Sequence, residues 1–314
     1  MKNYLKLCYS LIFFVTVTTI GAQTSLNKIL DYDDDNKTDL VVFRPSENVW
    51  YAKLSRSGGL YEVSFGVSGD DFLTPGNYDT DTYDDIGVWR NSEGNFYFLK
   101  STDGTMGTVH LGSPNDEPVP RDYDGDSITD FAVIRRENGL MSWYVIHSTT
   151  GQVVGTNFGL AIDYAAPGDY DGDGKTDIAV VRPSPNNGQA IFYILGSNVG
   201  FYGYPWGLSN DLIVPGDYDG DGNTDLAIVR DTGTNLLWAI LNSRDSSYSI
   251  LSFGIGGGDD FPVQSDYDGD GKTDIAVWRN STGSFYVFRS SDGALGGGQF
   301  GTDGDYPVAY YDVH

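Results

Sequence analysis

The chain has 314 residues and carries 44 Asp and Glu against 19 Lys and Arg, a formal net charge of −25. That balance argues against nucleic acid or an anionic membrane as a partner. Aromatic residues at 14% together with 41 glycines favour strands joined by tight turns over helices or disorder.

At the start of the chain, Lys2 and Lys6 flank a short basic segment, and residues 11–20 are apolar but too short to span a bilayer with ease. Gly21 and Ala22 then offer small residues for cleavage before Gln23. Residues 1–22 are predicted to be a secretory signal peptide, with a membrane anchor as the alternative, and residues 23–314 to form one domain. The expected location is secreted or at the extracellular cell surface, with no membrane insertion after cleavage. Cys8, the single cysteine, lies inside the signal, so the mature chain has no disulfide and metal is the obvious alternative brace.

Beyond the signal, one nine-residue acidic loop recurs. It begins at Asp31, Asn77, Asp122, Asp169, Asp217 and Asp266, in steps of 46, 45, 47, 48 and 49 residues. The six loops hold 25 of the 44 acidic residues. The fourth repeat shows the order of parts. A short segment over residues 166–170 runs into the loop 169–177, followed by a strand over 178–182, a turn over 183–189 and a strand over 191–195. A further strand ends at Trp206-Gly207, and Pro205 marks a turn. Four short strands at this period predict an all-β, six-bladed β-propeller of four-stranded antiparallel blades, a seven-bladed ring or a solenoid being the alternatives. The tail around Asp305, Tyr306, Pro307, Tyr310 and Tyr311 resembles the lead-in of a further copy and is expected to close the ring against residues 26–30.

Each loop sets oxygen ligands at positions 1, 3, 5 and 9, with the backbone carbonyl of position 7 as a fifth. The sets are Asp31, Asp33, Asp35, Lys37 and Asp39; Asn77, Asp79, Asp81, Tyr83 and Asp85; and Asp122, Asp124, Asp126, Ile128 and Asp130. The remaining three are Asp169, Asp171, Asp173, Lys175 and Asp177; Asp217, Asp219, Asp221, Asn223 and Asp225; and Asp266, Asp268, Asp270, Lys272 and Asp274. Hard oxygens at this spacing suit Ca²⁺ better than Mg²⁺, which tends to keep its waters. Carboxylates so close repel one another without a cation. Position 12 is Val42, Val88, Val133, Val180, Ile228 or Val277, not the Glu of an EF-hand. Repeats four, five and six carry Gly174, Gly222 and Gly271 at the wrapping turn, whereas repeat one has Asn36 and repeat three Ser127. Repeat two, with Asn77 and Thr82, is expected to be the poorest site.

These loops, the strands that follow them, and the pairs Phe65-Gly66, Phe158-Gly159, Phe253-Gly254 and Phe300-Gly301 resemble the FG-GAP/VCBS repeat of integrin α-subunits and secreted bacterial proteins. The pair drifts to Leu111-Gly112 and Trp206-Gly207. The resemblance implies a propeller whose Ca²⁺ loops join the first and second strands of each blade on one face. Integrin ligand specificity is not carried over, because Arg44-Pro45-Ser46 and its counterparts replace the Gly-Ala-Pro of integrins.

Two other features recur in every repeat. Arg44, Arg90, Arg135, Arg182, Arg230 and Arg279 end the second strands, and Asp71, Asp116, Asp163, Asp211, Asp260 and Asp305 follow the Phe-Gly-type pairs. They are expected to pair as bidentate bridges, an anion-binding ring being the alternative. Aromatic pairs such as Trp50-Tyr51 and Phe192-Tyr193 are expected to pack between blades. Tyr202, Tyr204 and Trp206 are a candidate sugar-stacking platform. His110, His147 and His314 occupy unrelated positions, and no nucleophile motif, Zn²⁺ ligand set or phosphate loop is present. The chain is therefore expected to be a monomeric, non-enzymatic adhesion or recognition module for a surface protein or glycan. A calcium-assisted polysaccharide-degrading lyase or glycosidase and a structural matrix component are the alternatives.

Overall fold

A computed structural model describes residues 30–309 of the chain. The predicted signal peptide, Cys8, residues 26–29, Tyr310, Tyr311 and His314 lie outside the described residues. The fold is a six-bladed β-propeller with four strands in each blade. Blade 4 runs Tyr164–Ala165, Ile178–Arg182, Gln189–Gly196 and Gly200–Leu208 from the axis outward, every neighbour antiparallel. The innermost strand starts before the predicted segment 166–170, within which Ala166 N–H donates to Ala179 O and Gly168 pairs with Asp177. Pro205 lies inside the outer strand beside a register shift, not in a turn. A missing N–H is tolerated on such an outer edge.

Burial explains why each strand sits where it does. Second strands such as LAIVRD of blade 5 are buried along most of their length, because both faces meet neighbouring blades. Third strands alternate, as QAIFYILG of blade 4 does, and outer strands such as MGTVH of blade 2 are largely exposed. Core clusters form between blades: Phe192 and Ile194 of blade 4 pack with Ile213, Leu226 and Ile228 of blade 5. No blade buries its own faces alone, so the ring must close.

Closure divides one strand between the two ends of the chain. Tyr306–Pro307 pair with Phe43 and Val42 of blade 1, and Val308 N–H donates to Val41 O. Leu30 O then accepts from Asp39 N–H, as Gly76 O does from Asp85 N–H in blade 2. The tail thus supplies most of the innermost strand of blade 1, while the N-terminal segment supplies its last rung at the loop. A seventh blade does not form, since its lead-in is used here.

The Arg and Asp of every repeat form a bidentate bridge at 2.7–3.0 Å, for example Arg182 with Asp163. Each bridge joins the first two strands of one blade; in blade 1, Asp305 comes from the tail. The same carboxylate accepts the N–H of the residue that follows the Phe-Gly-type pair, as Asp71 does from Val67 at 2.7 Å. The glycine of the pair is left-handed in all six blades, from φ 77° at Gly207 to φ 121° at Gly301, which is why this position holds Gly. Five of the arginines lie over a tyrosine of the third strand, 4.4–5.3 Å from the ring centre. Blade 5 has Ala239 there, and Arg230 is the most exposed of the six, at 42%. With every guanidinium matched to its own acid, the ring is structural rather than anion-binding.

Candidate metal centres

In loop four the first carboxylate turns back into its own loop. Asp169 Oδ1 accepts from the N–H groups of Gly172 (2.7 Å) and Asp173 (3.2 Å), and Oδ2 from that of Gly174 (2.8 Å). Asp31, Asp122, Asp217 and Asp266 accept from their loops in the same manner. The curl needs left-handed backbone at positions 4 and 6, supplied by Gly172 and Gly174 at φ 74° and 84°. Asp34, Asn36 and Ser127 adopt it at 53°, 63° and 71° in loops one and three.

The curl gathers oxygens. Asp169, Asp171 and Asp177 each offer one, all within 4.8 Å of one another, as do Asp122, Asp124 and Asp130, Asp217, Asp219 and Asp225, and Asp266, Asp268 and Asp274. In loop one the set is Asp31, Asp33 and Asp35. Asp33, Asp124, Asp171, Asp219 and Asp268, all at position 3, each keep a buried Oδ1 that accepts no hydrogen bond. A buried carboxylate oxygen without a donor is costly, and its repetition at one position in five loops fits a cation as the missing partner. The donors are all hard oxygens, which suits Ca²⁺. The clustered carboxylates would hold such an ion, and its two positive charges would offset part of their mutual repulsion.

Position 9 is fixed from two sides. Asp177 Oδ2 accepts Tyr170 N–H at 2.9 Å and Oδ1 accepts Ser197 N–H at 2.7 Å. Ser55, Ser101, Ser148, Ser243 and Ser290 hold the equivalent Asp in the other blades. The same serine hydroxyls donate to position 5, as Ser197 does to Asp173 at 2.8 Å. Burial is the largest influence on these acids: it pushes Asp39 up to about 7 and Asp130, Asp177, Asp225 and Asp274 up to about 6.

Loop two is built differently: with asparagine at position 1, no set of three carboxylate oxygens within 4.8 Å of one another forms there among the described residues. Neither Thr80 nor Thr82 enters the left-handed region. The Asn77 amide donates to Asp81 O at 2.7 Å, where an aspartate would accept from the loop, and Asn77 Oδ1 is left buried without a donor. Asp81 N–H goes instead to Asp79 Oδ1 at 3.0 Å, so the oxygen orphaned elsewhere is occupied here by the loop itself.

The loops also join one another. The N–H of position 8 donates to the position-1 carbonyl of the preceding blade at all six junctions, at 2.6–3.0 Å, from Asp84 to Asp31 round to Thr38 to Asp266. Position 8 is Thr in five loops, and in three junctions it packs on a glycine just before position 1, as Thr273 does on Gly216. Sequence reasoning missed this ring and the bracing serines, although both residue types recur in register.

Tyr202 and Tyr204 lie exposed on one face of the outer strand of blade 4. Burial, then Asp177 and Asp171, push the Tyr202 hydroxyl up to about 12, which sets it beside loop four. Trp206 is part of the junction with blade 5: it packs on that core cluster, and its indole N–H donates to Ala239 O at 3.2 Å.

Fold and loops together define a six-bladed propeller whose first hairpins carry aspartate-rich loops suited to a divalent cation. Residues 169–228, from loop four into the second strand of blade 5, match the family described as FG-GAP-like repeat. No curated protein matches the chain significantly. Among the described residues no helix is long and apolar enough to cross a membrane.

Proposed function

We propose that the protein is a secreted, calcium-braced recognition or adhesion module, without enzymatic activity, that presents its loops and outer strands to a surface protein or glycan. The observation that carries the proposal is the orphaned Oδ1 at position 3 in five loops, which a bound Ca²⁺ would satisfy. Rigid closure of the ring, with calcium in place of disulfides, suits an exported binding disc. Exposed Tyr202 and Tyr204 supply aromatic faces for a sugar. The test is a glycan array and a cell-surface binding assay on the mature protein, each with Ca²⁺ and with EGTA. Calcium-dependent binding that falls in Tyr204→Ala is expected. Release of unsaturated or reducing sugar ends from polysaccharides would overturn the non-enzymatic assignment.

A further inference from the structure

Where blades 6 and 1 meet, a pocket of about 320 Å³ opens between them, within the range of small-ligand sites. Three cationic side chains line it: Lys37 of loop one, Lys53 at the end of the third strand of blade 1, and Arg289 just after the third strand of blade 6. The chain holds only 19 Lys and Arg against 44 acids, so their convergence runs against its composition. Repeat symmetry does not require them. Lys53 pairs with Leu40, the first residue of a second strand, and the residues in that register in the other blades are Leu99, Ile146, Leu195, Leu241 and Phe288. Arg289 precedes the bracing serine, where blades 1, 4 and 5 have Leu54, Gly196 and Asn242. No other junction carries a cation at all three positions.

Space is reserved for a ligand by glycine. Gly296 stands opposite Val287 in the outer strand of blade 6, where blade 1 has Tyr61 opposite Ala52 and blade 4 has Tyr202 opposite Ile194. Tyr61 packs on Tyr32 of loop one, ring centres 5.9 Å apart, whereas the equivalent Tyr267 of loop six faces the pocket. Arg289 Nη2 is paired with Asp292 at 2.8 Å, but among the described residues neither lysine is in an ion pair. The one acid of the lining is Asp268, the position-3 residue of loop six, whose charge a cation in that loop would offset. Ammonium groups act as rotatable point charges, without the planar fork that matches a carboxylate. Cations reaching in from three separate segments suit an anion that presents oxygens in several directions.

We infer that the pocket between blades 6 and 1 binds a tetrahedral oxyanion, sulfate or phosphate, free or carried by a small molecule. The site is independent of the tyrosines on blade 4. It rests on the calcium reading only for the offset of Asp268, and elemental analysis of the same sample separates a failure of that reading from a failure of the site. Titration calorimetry on the calcium-loaded protein, with sodium sulfate, D-glucose 6-sulfate, D-glucose 6-phosphate and D-glucose as probes, tests it. At least one anion binds, D-glucose does not, and Lys53→Leu weakens the anion by about fivefold or more, the loss expected for one charge-assisted contact. That variant installs the residue found in this register in blades 2, 4 and 5, so without probe it melts no lower than the parent. Arg289→Asn, which installs the residue of blade 5, gives a second readout with a loss of the same order. An ester that binds more tightly than free sulfate supports a ligand carrying the group, and equal affinities support the ion itself. Absence of binding by all three anions, binding of D-glucose as tight as that of its esters, or unchanged affinity in both variants overturns the inference.

Discussion

Loop two and loop four share a length, a place in the blade and carboxylates at positions 3, 5 and 9, yet of the two only loop four brings three carboxylate oxygens within 4.8 Å of one another. The difference begins at position 1. Aspartate there can only accept, so it draws the N–H groups of positions 4, 5 and 6 inward and wraps the chain, leaving the position-3 oxygen unused. Asparagine there donates to position 5 instead, the wrap fails, and the position-3 carboxylate is taken up by the backbone. In loop two burial pushes Asp79 up, but the Thr102 hydroxyl and Asp81 N–H outweigh it and hold it below the usual range, whereas burial raises Asp33 and Asp219 at the same position. A cation site of this kind is thus decided by backbone hydrogen bonding as much as by the number of acids.

The broadest test is removal of metal. Five ions bound only by the folded state, each contributing about 2.7 kcal/mol at a hundredfold excess over Kd, imply a fall in melting temperature of at least about 15 °C in EGTA. Calorimetry measures the fall, and elemental analysis of the calcium-loaded protein should return five ions rather than six, the number of three-oxygen clusters. Sixth-site occupancy equal to the others would break the comparison between loops.

Single loops come next. Asp169→Ala should lose one ion and about 3 kcal/mol in the presence of Ca²⁺, the binding energy of that ion together with its loop cap. Asn77→Ala should change stability by under about 1 kcal/mol, since only a loop hydrogen bond is lost. Chemical denaturation of the two variants in calcium buffer compares them directly.

The converse substitution sharpens the point. Asn77→Asp with Thr80→Gly and Thr82→Gly supplies the acceptor and both flexible positions, and should add one calcium ion and about 2 kcal/mol at saturating Ca²⁺. Titration calorimetry reads the added site as a change in stoichiometry.

Proton linkage tests the loops without their metal. The position-9 carboxyls, raised by burial to about 6 or 7, ionise near pH 4 when unfolded, so the metal-free native state holds more protons between these values. Its stability must fall as pH rises through that window, and in EGTA it should melt clearly higher at about pH 5 than at about pH 7.5, as calorimetric scans at the two pH values would show. Calcium affinity should move the opposite way and weaken below about pH 6, because the ion requires the ionised form. A metal-free melting temperature that climbs with pH would contradict the assigned burial of these acids.

The amino-acid sequence by itself determined the number of blades, the four strands in each and the place of every acidic loop. These depend on period, alternation and spacing within about 50 residues, where chain geometry leaves few alternatives. It also paired each Arg with its Asp as types, though not the turn that each Asp caps. Only the tertiary structure decided how the ends share the innermost strand of blade 1, because Tyr306 and Phe43 meet across the whole ring. The same holds for the six hydrogen bonds that link successive loops, for Trp206 filling the junction beside Ala239, and for the pocket between blades 6 and 1. Such contacts join residues from different blades, and nothing in the local pattern of one repeat specifies what its neighbour places against it.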